Sequence, residues 1–475
     1  MISNKNKLSG LFVMLVLLLS ACKIPPIAAI NNNQKLPELY NNTQQNAVFE
    51  QIPWRNFFKD SSLLALIDTA LANNQELKIL MQEIAVDSNE ILARKGEYLP
   101  FVHLKAGALT DKSGKYTWNG FNEEDLKANP DKAPKYFGDF SIGAVASWEL
   151  DVWKKLRNSK KAAVLNYLST TEGKNFATTQ LISEIATNYY ELKALNQQLN
   201  IINQNIALQQ NALNIVKLEK EAAKLTQLAV NRFEAQLLNT QNLQFAIRQQ
   251  IVEAENNINY LVGRFPQAIP LKTDDLDAAL FQPIHAGIPS QLVENRPDIK
   301  QAAYLLEASK INVAVARANF LPSFSLQAGL NLQAYNPLYT LNPASLAYQL
   351  GADALMPLIN RNAIKAMYAT ANARQNRALY SYQQTILNAC KEVSNQIAKI
   401  DNSIQSYQTK QKEVAILNES VNIANRLFTS ARADYIEVLL TQREALDSKM
   451  ELIDIQLNQI QAIIGLYKSL GGGWK

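Results

Sequence analysis

The stretch Phe320-Leu321-Pro322-Ser323-Phe324-Ser325-Leu326-Gln327-Ala328-Gly329-Leu330-Asn331-Leu332-Gln333 alternates after its proline, with Phe324, Leu326, Ala328, Leu330 and Leu332 interleaved by small or polar residues. Period two is the mark of a strand whose two faces meet different surroundings. The phrase has an earlier copy. Tyr98-Leu99-Pro100 stands 222 residues before Phe320-Leu321-Pro322, and Leu104-Lys105-Ala106-Gly107 stands 222 before Leu326-Gln327-Ala328-Gly329. Asn73 and Asn295, and Lys78 and Lys300, keep the same spacing. Beyond the strands the spacing falls to 208, as between Glu184 and Glu392, Val230 and Val438, and Gly263 and Gly471. The chain is a duplication whose first copy carries 14 extra residues between its strands, including Lys112, Lys115, Trp118 and 123–125. A duplicated unit that cannot bury its own apolar face completes a larger assembly.

Three further stretches alternate in the same way. Val102, Leu104, Ala106 and Ala108 oppose His103 and Lys105; Phe140, Ile142, Ala144 and Trp148 oppose Asp139, Ser141 and Ser147; Tyr348, Leu350, Ala352 and Ala354 oppose Gln349 and Asp353. Strands are expected over about 100–109, 138–148, 322–333 and 346–356, a length that crosses a bilayer when tilted. A soluble sheet packed on one face shows the same alternation, so parity alone leaves both readings open. Four strands cannot close a barrel, and an open edge in hydrocarbon leaves backbone groups unpaired at several kcal/mol each. If the strands span, the protein must oligomerise, and three chains would supply twelve strands.

The helical stretches are long. Between Asp151 and Gly263 there is no proline and one glycine, Gly173; between Leu358 and Leu470 there is again no proline and one glycine, Gly465. Ile182, Ile185, Tyr189, Leu192, Leu195, Leu199, Ile202 and Ile206 step by three and four, as do Val393, Ile397, Ile400, Ile404 and Tyr407, then Val414, Leu417, Val421, Ala424 and Phe428. That is a coiled-coil seam. One straight helix of such length would be roughly 170 Å, so each stretch must fold back. The turn is expected at Ala223-Lys224-Leu225-Thr226 and at Ala431-Arg432-Ala433-Asp434. The outgoing leg, about 155–222, is then roughly 100 Å and the return leg, about 226–262, roughly 55 Å; a helix over about 75–99, roughly 36 Å, could stack on the return leg. Each copy thus supplies one long helix, two shorter ones and a strand pair.

Charge and composition exclude several classes. Lys and Arg total 47 against 42 acidic residues, a net of +5, which is no footprint for nucleic acid. Two His and two Cys support neither a multi-ligand His/Cys metal site nor a disulfide framework. Cys390 stands where the other copy has Ile182 and reads as a small structural thiol. No phosphate-binding loop, nucleophile elbow or paired metal-ligand helix is present, so no catalytic residue, cofactor or metal is assigned and the chain reads as a non-enzyme.

The first residues form a leader. Lys5 and Lys7 precede the apolar run from Leu11 to Leu19, and Leu19-Ser20-Ala21-Cys22 follows. This is a secretory signal, too short to span a membrane as a helix. Leu-Ser-Ala-Cys resembles the bacterial lipobox, in which the cysteine, here Cys22, becomes the acylated first residue; Lys23 beside it favours outer-membrane retention by the same resemblance.

Taken together these stretches resemble the outer-membrane efflux proteins, TolC-like, and especially the lipoprotein branch serving multidrug pumps. Trp148-Glu149-Leu150-Asp151-Val152-Trp153 resembles the family's segment ending the second strand, Asn295-Arg296-Pro297-Asp298-Ile299 its opening of the second copy, and Leu470-Gly471-Gly472-Gly473-Trp474 its C-terminus. The resemblance runs from Cys22 to Trp474. It implies a mixed α and β membrane protein acting as a homotrimer, with a twelve-stranded β-barrel in the outer membrane and a twelve-helix coiled-coil barrel across the periplasm. It also implies a periplasmic adaptor protein and an inner-membrane efflux pump as partners, with outer-membrane lipid around the barrel. The family's hairpin ends, often built on Gly, meet the adaptor; here these tips are Ala223, Lys224 and Leu225, and Ala431, Arg432 and Ala433. Ala223 and Ala431 occupy the glycine positions, so the turn is expected to lack glycine's freedom at positive φ. The family rings its closed periplasmic entrance with acids just past the second tip: Glu437 falls on the first such position, Leu440 on the second, and Asp434, one helical turn earlier, could replace the missing acid.

The expected layout is a signal peptide over 1–21, an extended lipid-anchored segment over 22–58, a first repeat over 59–263, a linker over 264–294 and a second repeat over 295–475. The resemblance implies a passive duct carrying small molecules, drugs among them, outward. A periplasmic coiled-coil scaffold without channel activity and a duct for polypeptides are the alternatives.

Overall fold

The computed structural model describes residues 37, 52–112, 114, 137–271, 276, 287–430 and 432–474. The leader, Cys22 and Ala431 lie outside them, as does most of the insert between the first two strands. The helices are α1 (Trp54–Phe57), α2 (Ser61–Asn73), α3 (Gln75–Glu97), α4 (Lys155–Glu221), α5 (Gln227–Val262), α6 (Ser290–Asn295), α7 (Pro297–Ala318), α8 (Asn362–Thr429) and α9 (Tyr435–Ser469). The strands are β1 (Phe101–Asp111), β2 (Phe137–Leu150), β3 (Ser323–Ala334) and β4 (Leu346–Leu355). Two compact units form, and they cut across the repeats. Of the described residues, one gathers those within 85–167 and 304–379, the other those within 52–84, 168–303 and 380–474.

The first unit holds the sheet. Its strands lie in the order β1-β2-β3-β4, each antiparallel to the next. Lys105 faces Gly143, Gly143 faces Asn331 and Asn331 faces Ala347. Since neighbours in register share a face, every even-numbered strand residue falls on one side and every odd-numbered one on the other. The even side, from Val102 and Leu104 through Ile142 and Trp148 to Leu326, Leu330, Tyr348 and Leu350, carries no charged residue. The outer edges of β1 and β4 have no strand partner among the described residues. β2 outruns the 138–148 that its alternation suggests, because Phe137 still pairs with Asp111 and Leu150 with Phe324.

Two indoles fasten the base of this sheet. Trp148 donates Nε1–H to the Tyr98 carbonyl at 3.0 Å, and Trp153 donates to the Pro322 carbonyl at 2.7 Å. Those carbonyls belong to the paired Tyr-Leu-Pro and Phe-Leu-Pro segments that precede β1 and β3. Asp151, between the indoles, accepts from the amides of Leu156 and Arg157 at 3.0 Å each and so caps α4. Burial raises its carboxyl, but those amides and the Arg157 guanidinium outweigh it and hold Asp151 below the usual carboxylate range.

The second unit holds the main core. Ile182, Ile185, Tyr189, Leu192 and Ile202 of α4 are buried against Leu63 and Ile67 of α2, Ile258 and Val262 of α5, and Ile460, Ile464 and Tyr467 of α9. The segment expected to be extended up to residue 58 is helical at 54–57. Its aromatic side chains explain the departure: Trp54, Phe57 and Phe58 are buried, and Phe57 stacks on Tyr467 with ring centroids 4.0 Å apart. Next along the chain, Asp60 caps α2 through the Ser62 amide at 2.9 Å and accepts from the Tyr189 hydroxyl at 2.9 Å and the Lys193 ammonium at 3.3 Å. Lys193 is only 1% exposed. The cluster belongs to copy one alone, since Tyr189 and Lys193 correspond to Ile397 and Asp401. Cys390 is half-buried beside Val393 and Ile397, and burial pushes its thiol up.

Equivalent positions tie the repeats. Gly263 ends α5 at φ 77° and Gly471 follows α9 at φ 85°, both left-handed. A Cβ on Gly263 would lie 2.7 Å from the Asn73 carbonyl oxygen, and one on Gly471 2.9 Å from that of Asn295. Glycine is therefore required twice over, by φ and by close approach. Asn73 and Asn295, matched by the 222 spacing, thus each approach the glycine of their own copy, Gly263 and Gly471, matched by the 208 spacing.

Candidate functional site

The two hairpin ends share a closing hydrogen bond. At the first, the Lys224 amide donates to the Glu219 carbonyl at 2.9 Å and the Ala223 amide to Lys220 at 3.0 Å. These are the two bonds of a Schellman stop. Ala223 stands at its left-handed position with φ 53°. Without glycine's freedom the turn still takes positive φ: the two closing bonds outweigh the cost of about 1–2 kcal/mol that a Cβ incurs there. At the second end the Arg432 amide donates to the Leu427 carbonyl at 2.8 Å, and Arg432 and Leu427 are the counterparts of Lys224 and Glu219.

Each return helix then starts from an extended residue, Thr226 for α5 and Asp434 for α9. Neither side chain caps its helix. Asp434 and Glu437 are exposed, and the Glu437 amide donates to the Asp434 carbonyl at 3.2 Å, which places the two acids within one turn. Their counterparts differ sharply. Ala229, which matches Glu437, is fully buried among Leu213, Val216 and Phe233, whereas Val230 and Val438 are buried in both copies. The second hairpin therefore turns an acidic corner outward where the first packs an alanine. Leu440 is 48% exposed and adds no charge.

The odd-numbered face of the sheet is the other polar surface. It carries His103, Lys105, Asp111, Asp139, Glu149 and Asp353 among uncharged residues. Glu149 pairs with Lys155 at 2.5 Å, and Asp139 and Asp353 accept from Gln333 at 2.8 Å and Gln327 at 3.2 Å. Sequence reasoning singled out the acids near the second tip but gave Lys105 no role. Its signal was the charged residue on the odd parity of β1.

A sheet with one uncharged apolar face and strands of bilayer-crossing length, in a chain that also builds long helical hairpins, defines an outer-membrane channel protein. The family model of the outer membrane efflux protein matches residues 66–264 and 288–472, one segment per copy. The chain belongs to that family. The cation efflux system protein CusC of Escherichia coli O6:H1 is 26% identical over 449 residues, covering 93% of each chain. The probable outer membrane lipoprotein SilC of Salmonella typhimurium is 26% identical over 431 residues, covering 90% of this chain and 89% of its own. Among solved structures, the outer-membrane channel OprN superposes with a TM-score of 0.85 at 21% identity, covering 95% of this chain and 99% of OprN. The protein is an outer-membrane efflux channel with the channel fold of that family, a family of efflux channels rather than enzymes.

Proposed function

We propose that three copies of this chain form a passive duct, closing twelve strands into a barrel and twelve helices into a hollow coiled coil. The observation that carries this reading is the sheet. Its even face is uncharged and apolar, and both its edges lack a strand partner among the described residues, an arrangement that hydrocarbon tolerates only after closure. Two chains would supply eight strands, enough only for an interior filled by side chains, so an open duct calls for at least the twelve strands of three chains. In this reading the tips at Ala223, Lys224 and Leu225, and at Ala431, Arg432 and Ala433, meet a periplasmic adaptor, through which an inner-membrane pump supplies the energy. Asp434 and Glu437 ring the periplasmic entrance, Cys22 carries the lipid anchor, and the cargo is small molecules.

Two measurements test the assembly. Protein extracted from outer membranes should run as a trimer and give steady single-channel steps in a planar bilayer. A monomer without conductance would overturn the duct and favour the scaffold. Fatty-acid labelling that survives Cys22→Ala would remove the proposed anchor.

A further inference from the structure

The charges of the odd face fall into three levels along the strands. Asp111 and Asp139 lie toward one end and Glu149 and Asp353 toward the other, with Lys105 between them. Lys105 is the only lysine or arginine on this face among the described residues. Its cross-strand neighbour is Gly143, four residues from Asp139 and six from Glu149. At about 3.3 Å per residue these acids lie roughly 13 and 20 Å away along the strand. That exceeds the screening length of about 8 Å at physiological salt. The lysine therefore sets the local potential at its own level.

The surface beside it is shaped to receive a group. The Leu330 carbonyl oxygen and the Cα and Cβ of Asn331 stand too close to Gly143 for it to carry a Cβ, so no side chain rises from the position paired with Lys105. A groove of about 230 Å³ opens there, lined by Lys105, Asp139, Ser141, Asn331, Gln333 and Gln349 among others. The Asp139 carboxylate lies in the same groove and keeps its charge while accepting from the Gln333 amide at 2.8 Å, so the seat is the Lys105 end of the groove, roughly 13 Å along the strand from that acid. No hydrogen bond or ion pair reaches Lys105 from the described residues. The Asn331 amide already donates to Gln333 and the Gln333 amide to Asp139, so what the groove leaves uncommitted is the Lys105 ammonium, the Ser141 hydroxyl and the Gln349 amide, donors suited to a carboxylate or phosphate.

The geometry points to Lys105 as a selectivity residue that gives the barrel an anion-attracting level, a transient seat for cargo bearing carboxylate or phosphate groups. This rests on the trimeric duct proposed above, in which the odd face lines the lumen and three Lys105 side chains share one level. There the barrel favours anions at mid-height, whereas Asp434 and Glu437 favour cations at the far entrance.

The test is block of single-channel current by citrate, a trivalent anion at neutral pH, added on the barrel side. The wild-type channel should be blocked in a voltage-dependent manner. Lys105→Gln should raise the half-blocking concentration roughly tenfold, as expected for three unit charges acting on a trivalent ion through water at about one screening length. Lys105→Arg should keep the block. Trimer mobility on a gel identifies any variant that fails to assemble. A conducting wild type that citrate does not block, or a Lys105→Gln channel blocked as well as wild type, overturns the anion seat and leaves the duct intact. A protein that gives no conductance overturns the duct itself, and the seat with it.

Discussion

Arg296, 3% exposed, donates from Nη1 to the Ser469 carbonyl at 2.8 Å, joining the start of α7 to the end of α9. Asn74, its counterpart in copy one, donates from Nδ2 to the Leu261 carbonyl at the same 2.8 Å, and Leu261 is the counterpart of Ser469. One clasp is thus made twice by different chemistry. Asn74 adds the cap of α3, accepting from the Leu77 amide at 3.0 Å. Arg296 adds ion pairs to Asp298 at 2.7 Å and Glu392 at 2.8 Å.

The difference sets the cost of breaking each clasp. Arg296→Met leaves Asp298 and the Ser469 carbonyl without their buried donor and should destabilise by about 3–5 kcal/mol. Asn74→Ala loses a cap and one hydrogen bond, worth about 1–2 kcal/mol. Denaturant unfolding in detergent, followed by far-UV circular dichroism, should rank the variants in that order. Equal midpoints would mean that the charges of the second clasp contribute nothing.

A second consequence concerns acid. Burial raises the Asp60 carboxyl, but the Tyr189 hydroxyl, the Ser62 amide and Lys193 together hold it below its ordinary value. A depressed folded value stabilises the fold above the unfolded pKa of about 3.9, and the contribution disappears as pH falls through that value toward the folded one. Stability should therefore decline below about pH 4.5. Asp60→Asn should flatten that part of the profile while costing about 3–5 kcal/mol at neutral pH, because Lys193 is left buried without its anion. Lys193→Met should cost less at neutral pH. An unaltered acid limb in Asp60→Asn would refute the assignment.

Much of this architecture is legible because strand parity and helix spacing are one-dimensional signals. Leu326 to Leu332 set the sheet faces, and the absence of proline from Asp151 to Gly263 foretells the hairpin. The 222 and 208 spacings matched Asn73 with Asn295 and Gly263 with Gly471. That these pairs touch, Asn73 with Gly263 and Asn295 with Gly471, is a tertiary fact no spacing carries. The burial of Trp54, Phe57 and Phe58 escaped because one helical turn has too few residues to show a period. At the tip, residue type alone argues against positive φ for Ala223, while the hydrogen bonds that enforce it are visible only in three dimensions.

That alanine yields a third prediction. Ala223→Gly removes a Cβ from a left-handed residue, and after glycine's greater unfolded-state freedom is subtracted should stabilise the turn by about 0.5–1 kcal/mol. Ala223→Val, β-branched at φ 53°, should loosen it. Hydrogen exchange at the Ala223 and Lys224 amides reports both, slower in the glycine variant and faster in the valine one. Exchange unaffected by either change would contradict the Schellman stop.

The acidic corner of the second hairpin supports the last prediction. Asp434 and Glu437 are exposed, whereas the first hairpin has Thr226 and a buried Ala229 at those places. In a trimer three such corners would stand around one opening, and like charges at close range concentrate a cation-attracting potential while opposing closure. Replacing Asp434 and Glu437 together by alanine should lower the cation-to-anion permeability ratio, read from the reversal potential across a salt gradient, by roughly threefold. Leu440→Glu should move it the other way, since it restores an acid on the same exposed side of α9. If the double variant keeps the wild-type reversal potential, the two acids belong to a solvated helix face and the entrance is selective, if at all, through other residues.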